Sequence, residues 1–542
     1  MIINKGRLIL FVVLFTSLVA CGGGNKSEPV TSTATTTEST DNEDTESVNE
    51  NTNNGEDTSP SPVPAAAWQL PKENYIPAKM PMHLVYPRAD SETGQYARHK
   101  YAHPNMIYEI PIGVQGGAWP FHYELIEAPA GASLGQIHGT TNYGSISWLA
   151  PASGTHNFEV KITDQDLNTV TAIWQVTIDA NQFVFIEDGY TGIKLGSIDQ
   201  PLEDFSDWYK GDRADATYHN KIVVFRGGQY NLIGGTATNG NVRLDAASKT
   251  ASLIGYPGET PIIDCSKAKI FSPTKDIFVA GIRWENGRQD VNNAHFFWAI
   301  DDVSRSTWWR NHFHNLGPGK VGNDNTLAVF VSNTSKLKEN ILYKENNHTK
   351  FNNMGYNGGY FEAYVSNYVL IEENTASDSA VASGFYAKGT RAYVSIRANT
   401  AVDNVQGAQL MVGNGGEARD IPHDHEICWN NVRAPGDNVL MMSGSNYYSG
   451  QIYNNHIYRN TIVGGSAWVR FKGTENYKVD GNVVITNDMG ATKSRWNVNV
   501  MDSFIMPNLT SDGSEVFVDN NGLLQDSYRD TYLGTHGHEV AF

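Results

Sequence analysis

The sequence predicts an all-β chain in which a small β-sandwich precedes a long parallel β-solenoid. Three observations carry that reading. First, an asparagine returns at the end of short strand-like runs: Asn311, Asn347, Asn374, Asn399, Asn431, Asn460 and Asn482, at spacings of 36, 27, 25, 32, 29 and 22 residues. A period of roughly 20–50 residues marks stacked structural repeats, and these segments carry no helical period. Second, Asn157–Asp164 and Ala172–Ile178, upstream of the series, alternate apolar and polar residues as half-buried strands do. Third, 51 glycines, 11% aromatic residues and only 18% charged residues in 542 positions suit a secreted all-β protein better than a helical enzyme.

In chain order, Lys5 and Arg7 precede the apolar run Leu8–Val19, as in a secretory signal. The run ends Leu18-Val19-Ala20-Cys21-Gly22, which resembles a bacterial lipoprotein lipobox. That resemblance implies cleavage after residue 20, lipidation of Cys21 and membrane attachment through the lipid alone. Gly22 stands where an inner-membrane retention signal would carry Asp, so an outer-membrane or cell-surface address is implied. Residues 22–66 are rich in Thr, Ser, Asn, Glu and Asp and offer little to bury, so they read as a disordered acidic tether. With Cys21 lipidated, only Cys265 and Cys428 remain, both in apolar runs; they read as core side chains.

Residues 67–180 read as the sandwich. Gly116-Gly117-Ala118-Trp119-Pro120-Phe121, the Pro129-Ala130-Gly131 turn and Phe158-Glu159-Val160-Lys161-Ile162-Thr163-Asp164 resemble the Ig/cadherin-like modules of bacterial surface proteins. That resemblance implies a fold and no chemistry; the module reads as a spacer, with carbohydrate binding as the alternative. Residues 181–500 read as the solenoid. Its opening, Phe183-Val184-Phe185-Ile186 followed by Gly196-Ser197-Ile198-Asp199-Gln200-Pro201, resembles that of secreted right-handed parallel β-helix proteins. Residues 501–542 then read as a C-terminal cap over the open sheet edge. The recurring asparagines read as structural: Asn tolerates the left-handed backbone of a sharp turn, and stacked amides can bond one another.

Anchoring each coil on its asparagine places Asp301, Glu362, Tyr364, Tyr386, Lys388, Gln409, Arg470 and Lys472 on one face, since side chains alternate along a strand. A slip of one residue would reverse that assignment. Lys388, in Tyr386-Ala387-Lys388-Gly389-Thr390-Arg391, stands out, with Glu362 one coil before and Arg397 just beyond. A lysine flanked by guanidinium groups has a depressed pKa and can act as a base. Arg391 and Arg397 can neutralise a uronate carboxylate and so acidify the adjacent C5 proton. The set resembles the lateral-face sites of β-helix polysaccharide lyases, which use Lys or Arg as base. It implies Lys388, Arg391 and Glu362 as catalytic residues. Arg397, Tyr386, Tyr364, Tyr356, Tyr360, Trp308, His314 and His348 form a candidate substrate-binding set, because sugar rings pack on aromatic planes. Asp301 and Asp302 could bind Ca²⁺, as in some lyases of this kind. His423-Asp424-His425-Glu426 looks like metal chemistry but has no third ligand in view.

A net charge of −18 argues against nucleic acid as partner without excluding an anionic polysaccharide met by a local basic strip. The leading expectation is a surface-anchored enzyme cleaving an acidic polysaccharide by β-elimination. One alternative is a glycoside hydrolase acting on a sulfated or neutral glycan through paired carboxylates such as Asp301 and Glu362. Another is a non-catalytic glycan-binding or adhesion lipoprotein.

Overall fold

The structure is a computed structural model. It describes residues 75–88, 97–137, 140–210, 213–234, 241–244, 252–272, 275–287, 295–301, 303–317, 326–333, 340–353, 358–381, 384–389, 392–402, 409–412, 423–444, 452–472, 474–475, 478–480, 483–486 and 504–507. The signal segment, Cys21, the tether, Asn482 and most of the expected cap lie outside these residues.

The right-handed parallel β-helix begins at Phe183, and from Ile222 onward its regular coils contribute a first, a second and a third strand. In one complete coil they are Ile341–Lys344, Asn347–Asn353 and Gly359–Tyr364. First strands stack in parallel from Phe183–Ile186 through Ile222–Phe225, Thr307–Trp309 and Ala392–Arg397 to Ile452–Tyr458. Second and third strands stack likewise and share one long sheet path. Inward residues, among them Val329, Phe361, Phe385 and Ile396, form one continuous apolar core. Burial of that core along the whole axis is the main force holding the coils together.

First and second strands meet at a short turn, and the asparagine series sits there. Asn311, Asn346, Asn374, Asn399, Asn430 and Asn460 form a ladder in which each Nδ2 donates to the next Oδ1 at 2.9–3.0 Å. Each Oδ1 also accepts the backbone N–H of the asparagine before it. All six are buried. The axial bonding expected from the sequence is therefore present, but Asn346 and Asn430 serve where the spacing alone suggested Asn347 and Asn431. The left-handed residue is also not the asparagine. It is the one before: Arg310, Glu345, Glu373, Ala398, Trp429 and Arg459, with φ between 52° and 57°. Each of these non-glycine residues carries a steric cost, and the paired amides that follow fix the turn nonetheless.

The upstream module is a β-sandwich of a four-stranded sheet (Tyr101–Ala102, Thr169–Ile178, Gly154–Thr163, His122–Glu127) and a three-stranded sheet (Ile107–Pro111, Thr140–Leu149, Ser133–Ile137). Thr169–Ile178 alternates exposed and buried residues as its sequence requires. Phe158 stacks on Trp174 with centroids 5.0 Å apart between the sheets.

This module is not a spacer held away from the solenoid. Its core continues into the outward residues of the first strands, including Phe278, Trp309, Leu342, Leu370 and Cys428, and into the turn residue Trp429. Trp119 packs on Trp429 at 5.4 Å and Tyr86 on Phe278 at 5.7 Å. Gln115 donates to Val369 O at 3.1 Å. Docking thus covers the first face of the helix and leaves the other two for function.

Candidate active site

Register defines the surface of the third strands. Arg243, Phe271, Trp298, Phe330, Glu362, Tyr386 and Met411 follow one another, one per coil, in a single row. A parallel row, two residues further along each strand, holds Ile300, Ser332, Tyr364 and Lys388. Both have the parity opposite to the core residues Val329, Phe361, Phe385 and Ala387. Strand neighbours lie about 4.8 Å apart, so the half-buried rings of Phe271, Trp298 and Phe330 make a continuous apolar strip along the axis. Trp298 packs edge-on against Phe271 at 5.8 Å and receives the Lys269 ammonium over its face at 4.3 Å. Buried His295 stacks on Phe330 at 5.6 Å.

The strip runs into Glu362. Its carboxylate accepts the Tyr386 hydroxyl at 2.7 Å, and both side chains are buried. Burial raises the Glu362 pKa above the ordinary carboxyl range, opposed by the Lys388 charge and the tyrosine hydrogen bond. Lys388 and Tyr364 pair across adjacent strands and are partly exposed above this floor. An apolar platform, a carboxyl group biased to keep its proton and a basic side chain beside it can grip a sugar chain and move protons. Glu362 is the single carboxyl group on this face among the described side chains.

The sequence-predicted residues divide sharply. Glu362, Tyr364, Tyr386 and Lys388 come together as expected. Asp301 pairs with Asn333, so Ile300 and not Asp301 occupies the row of Ser332, Tyr364 and Lys388. The Asp301 side chain, Asp302, Tyr356 and Arg391 lie outside the described residues, and the expected Ca²⁺ site with them. Arg397 belongs to the other face. It is buried beneath the sandwich, where Nε and Nη2 donate to Glu372 at 3.0 and 2.7 Å and Nη2 donates to Val114 O at 2.6 Å. It is a docking residue, not a substrate ligand.

Trp308 and Tyr360 are core side chains with no exposed surface. His348 is buried between the Tyr343 hydroxyl (2.5 Å) and Thr375 O (2.8 Å), and burial depresses its pKa to about 3. His314 is partly exposed but sits on the second face, where it and His312 share the Thr349 hydroxyl at 2.7 Å each. In the His423–Glu426 run, burial drives the His425 pKa down to about 3, and Glu426 is taken up by Ser395 and Tyr458. Among the described residues no group of three His, Cys, Asp or Glu could hold a metal ion. Cys265 and Cys428 are buried and unpaired, as expected.

Phe271, Phe330, Lys269 and His295 belong to the site and were not singled out in the sequence. Phe271 and Phe330 had a signal: each is the central residue of a short run, flanked by inward residues in Ile270-Phe271-Ser272 and Val329-Phe330-Val331.

No protein-family profile matches the sequence, and no curated protein does. Among solved structures, the chain is similar to a family 28 exopolygalacturonase of Yersinia enterocolitica, at 11% identity over 77% of this chain and 98% of that one, with a TM-score of 0.32. It is also similar to a candidate α-galactosidase of Bacteroides fragilis NCTC 9343, at 10% identity and a TM-score of 0.15. That match takes in 29% of this chain and 38% of the other. Fold and site together define a parallel β-helix protein with one face sealed by a docked sandwich and another carrying an aromatic strip that leads to an acid and a lysine.

Proposed function

We propose that this third face is the active site of an enzyme that cleaves an acidic polysaccharide by β-elimination, held at the cell envelope by a lipid on Cys21. The observation that carries the reading is the uninterrupted row Phe271–Trp298–Phe330–Glu362–Tyr386, with Lys388 beside its polar end. The aromatic strip runs along the axis and matches a linear chain of sugar rings, whose C–H faces pack on it. At its end, Lys388 takes the C5 proton of a uronate. The C4–O4 bond breaks with its electron pair on O4, which receives the proton held on Glu362. A C4–C5 double bond remains in the uronate, which becomes the non-reducing end of the fragment on the reducing side of the break. Tyr386 orients the Glu362 carboxyl, and Tyr364 borders the reacting sugar.

A second reading has one supporting observation. A buried carboxyl group with a raised pKa is also what a glycosidase needs as general acid, so hydrolysis with a second carboxylate is the alternative. Incubating the full chain with uronic-acid and with neutral and sulfated polysaccharides tests both. Ultraviolet absorbance from unsaturated ends, rising in step with reducing ends, is the expected result on a uronate polymer. Reducing ends without absorbance would replace elimination by hydrolysis. No cleavage across the panel would leave a glycan-binding protein.

A further inference from the structure

The structure assigns a second saccharide-binding site to the seam between the sandwich and the first face of the helix. A cleft of about 110 Å³ opens there between Ile107–Pro111 of the sandwich and the first strands Ser252–Gly255, Phe278–Ala280 and Thr307–Trp309. That is room for a group the size of several water molecules. Phe278 and Tyr256 form apolar wall, while Gly255, Gly258 and Gly281 leave the floor without side chains. At Gly255 the approach is obligatory, because a Cβ would come within 2.2 Å of Gly281 O.

Two buried donors belong to residues lining the cleft and meet no acceptor: Arg98 Nε and Trp309 Nε1. Arg98 is 3% exposed and Trp309 3% exposed. Arg98 is held in place from its far side, with Nη1 donating to Tyr101 O at 2.7 Å and the guanidinium 4.9 Å from the Tyr108 ring centre. Buried donors without partners are costly and call for an explanation. The other charges of the rim are already satisfied: Arg310 bonds Glu345 at 2.6 Å, and Arg226 bonds Glu259 at 2.7 Å. The carboxylate of Glu109, half-buried on the same wall, has no hydrogen-bond donor among the described residues and feels the charge of Arg98.

What remains is two donors and one acceptor over an apolar wall. A simple anion would use the donors but be repelled by Glu109. A sugar uses all three, since each hydroxyl both donates and accepts and the ring face packs on half-buried Tyr256. We therefore assign the cleft to one saccharide unit of a glycan. It lies on a face the active site does not use, so a polysaccharide engaged at both places gains avidity. The assignment rests on the polysaccharide reading above only for the identity of that larger ligand.

Calorimetric titration of the full chain with trigalacturonate and with cellotriose tests it, using Trp298→Ala to remove the third-face platform. Binding that persists in Trp298→Ala, and that weakens about tenfold on adding Trp309→Phe or Glu109→Gln, is the expected result. Trp309→Phe deletes the donor together with part of the indole bulk, so Glu109→Gln, which preserves side-chain size, is read beside it. Trisaccharide binding abolished by Trp298→Ala alone would overturn the assignment, as would binding indifferent to both seam substitutions or absent for both probes. Seam binding in a chain that cleaves nothing would retain this site while removing the proposed enzyme activity.

Discussion

Asn346 and Asn347 are adjacent and identical in type, yet truncating them should differ by about 3 kcal/mol. Asn346 Oδ1 accepts from Asn311 N at 3.1 Å and from Asn311 Nδ2 at 3.0 Å, and its Nδ2 donates to Trp308 O at 2.9 Å and Asn374 Oδ1 at 3.0 Å. Asn346→Ala removes all four bonds. The buried Asn311 N–H is left with no acceptor, and Trp308 O loses a donor. Asn374 Oδ1 keeps the Asn346 backbone N–H at 2.9 Å. Each buried group left unsatisfied costs about 1–3 kcal/mol, which sums to about 3 kcal/mol. Asn347 is half-buried and accepts the Thr375 hydroxyl at 3.1 Å at the surface, where water replaces it. Asn347→Ala should therefore cost no more than about 0.5 kcal/mol. Urea denaturation of the two variants, followed by tryptophan fluorescence and circular dichroism, makes the comparison. Equal losses, or a larger loss for Asn347→Ala, would refute a ladder running through Asn346.

Glu362→Gln should abolish most turnover. In the parent chain the rate should fall as pH rises through the raised Glu362 pKa, because the general acid must be protonated to work; a pH–rate profile without that alkaline limb in the parent would remove Glu362 from the role. Arg397→Ala leaves buried Glu372 with Lys344 as its remaining cation and takes a donor from Val114 O, and should destabilise docking by about 3 kcal/mol, read as faster hydrogen exchange in Gly113–Gln115 and Val369–Glu372. The Glu372 pKa is raised by burial but depressed on balance by Lys344 and Arg397. Its contribution to docking is therefore present above the ordinary carboxyl pKa, about 4.3, and lost as pH falls through the lower folded value. The same exchange experiment run from neutral to acid pH follows that loss, and a seam that tightens in acid would contradict it. Trp298→Ala should weaken the apparent affinity for a uronate polymer about tenfold while leaving the maximal rate little changed, as expected for a residue that binds ground state and transition state alike.

Much of this architecture was legible in the sequence, and the misses have definite physical causes. The asparagine series revealed the coils because a buried amide stack cannot be replaced cheaply, but spacing alone could not choose between the paired residues Asn346-Asn347 and Asn430-Asn431. Strand parity correctly grouped Glu362, Tyr364, Tyr386 and Lys388, because two-residue slips between coils preserve the face. It misplaced Asp301, where the slip was a single residue. Parity also cannot say which of three faces a residue adorns, or what covers that face. Arg397 has the chemistry of a substrate ligand, but it lies on the face that the sandwich seals. Trp308, Tyr360 and His348 point into the helix, where size and aromatic character serve packing. Docking itself left no local signature, since the outward residues of the first strands, Phe278, Leu342 and Leu370, read simply as apolar strand positions.

Lys388→Ala, assayed in parallel for turnover and for binding of a uronate oligosaccharide, tests the central claim most directly. An active site on the third face predicts that turnover falls by about a hundredfold or more on loss of the base. Oligosaccharide affinity should change by less than about tenfold, because the strip Phe271–Trp298–Phe330 is intact. Turnover unaffected by the substitution would place the chemistry elsewhere on the helix and contradict the account.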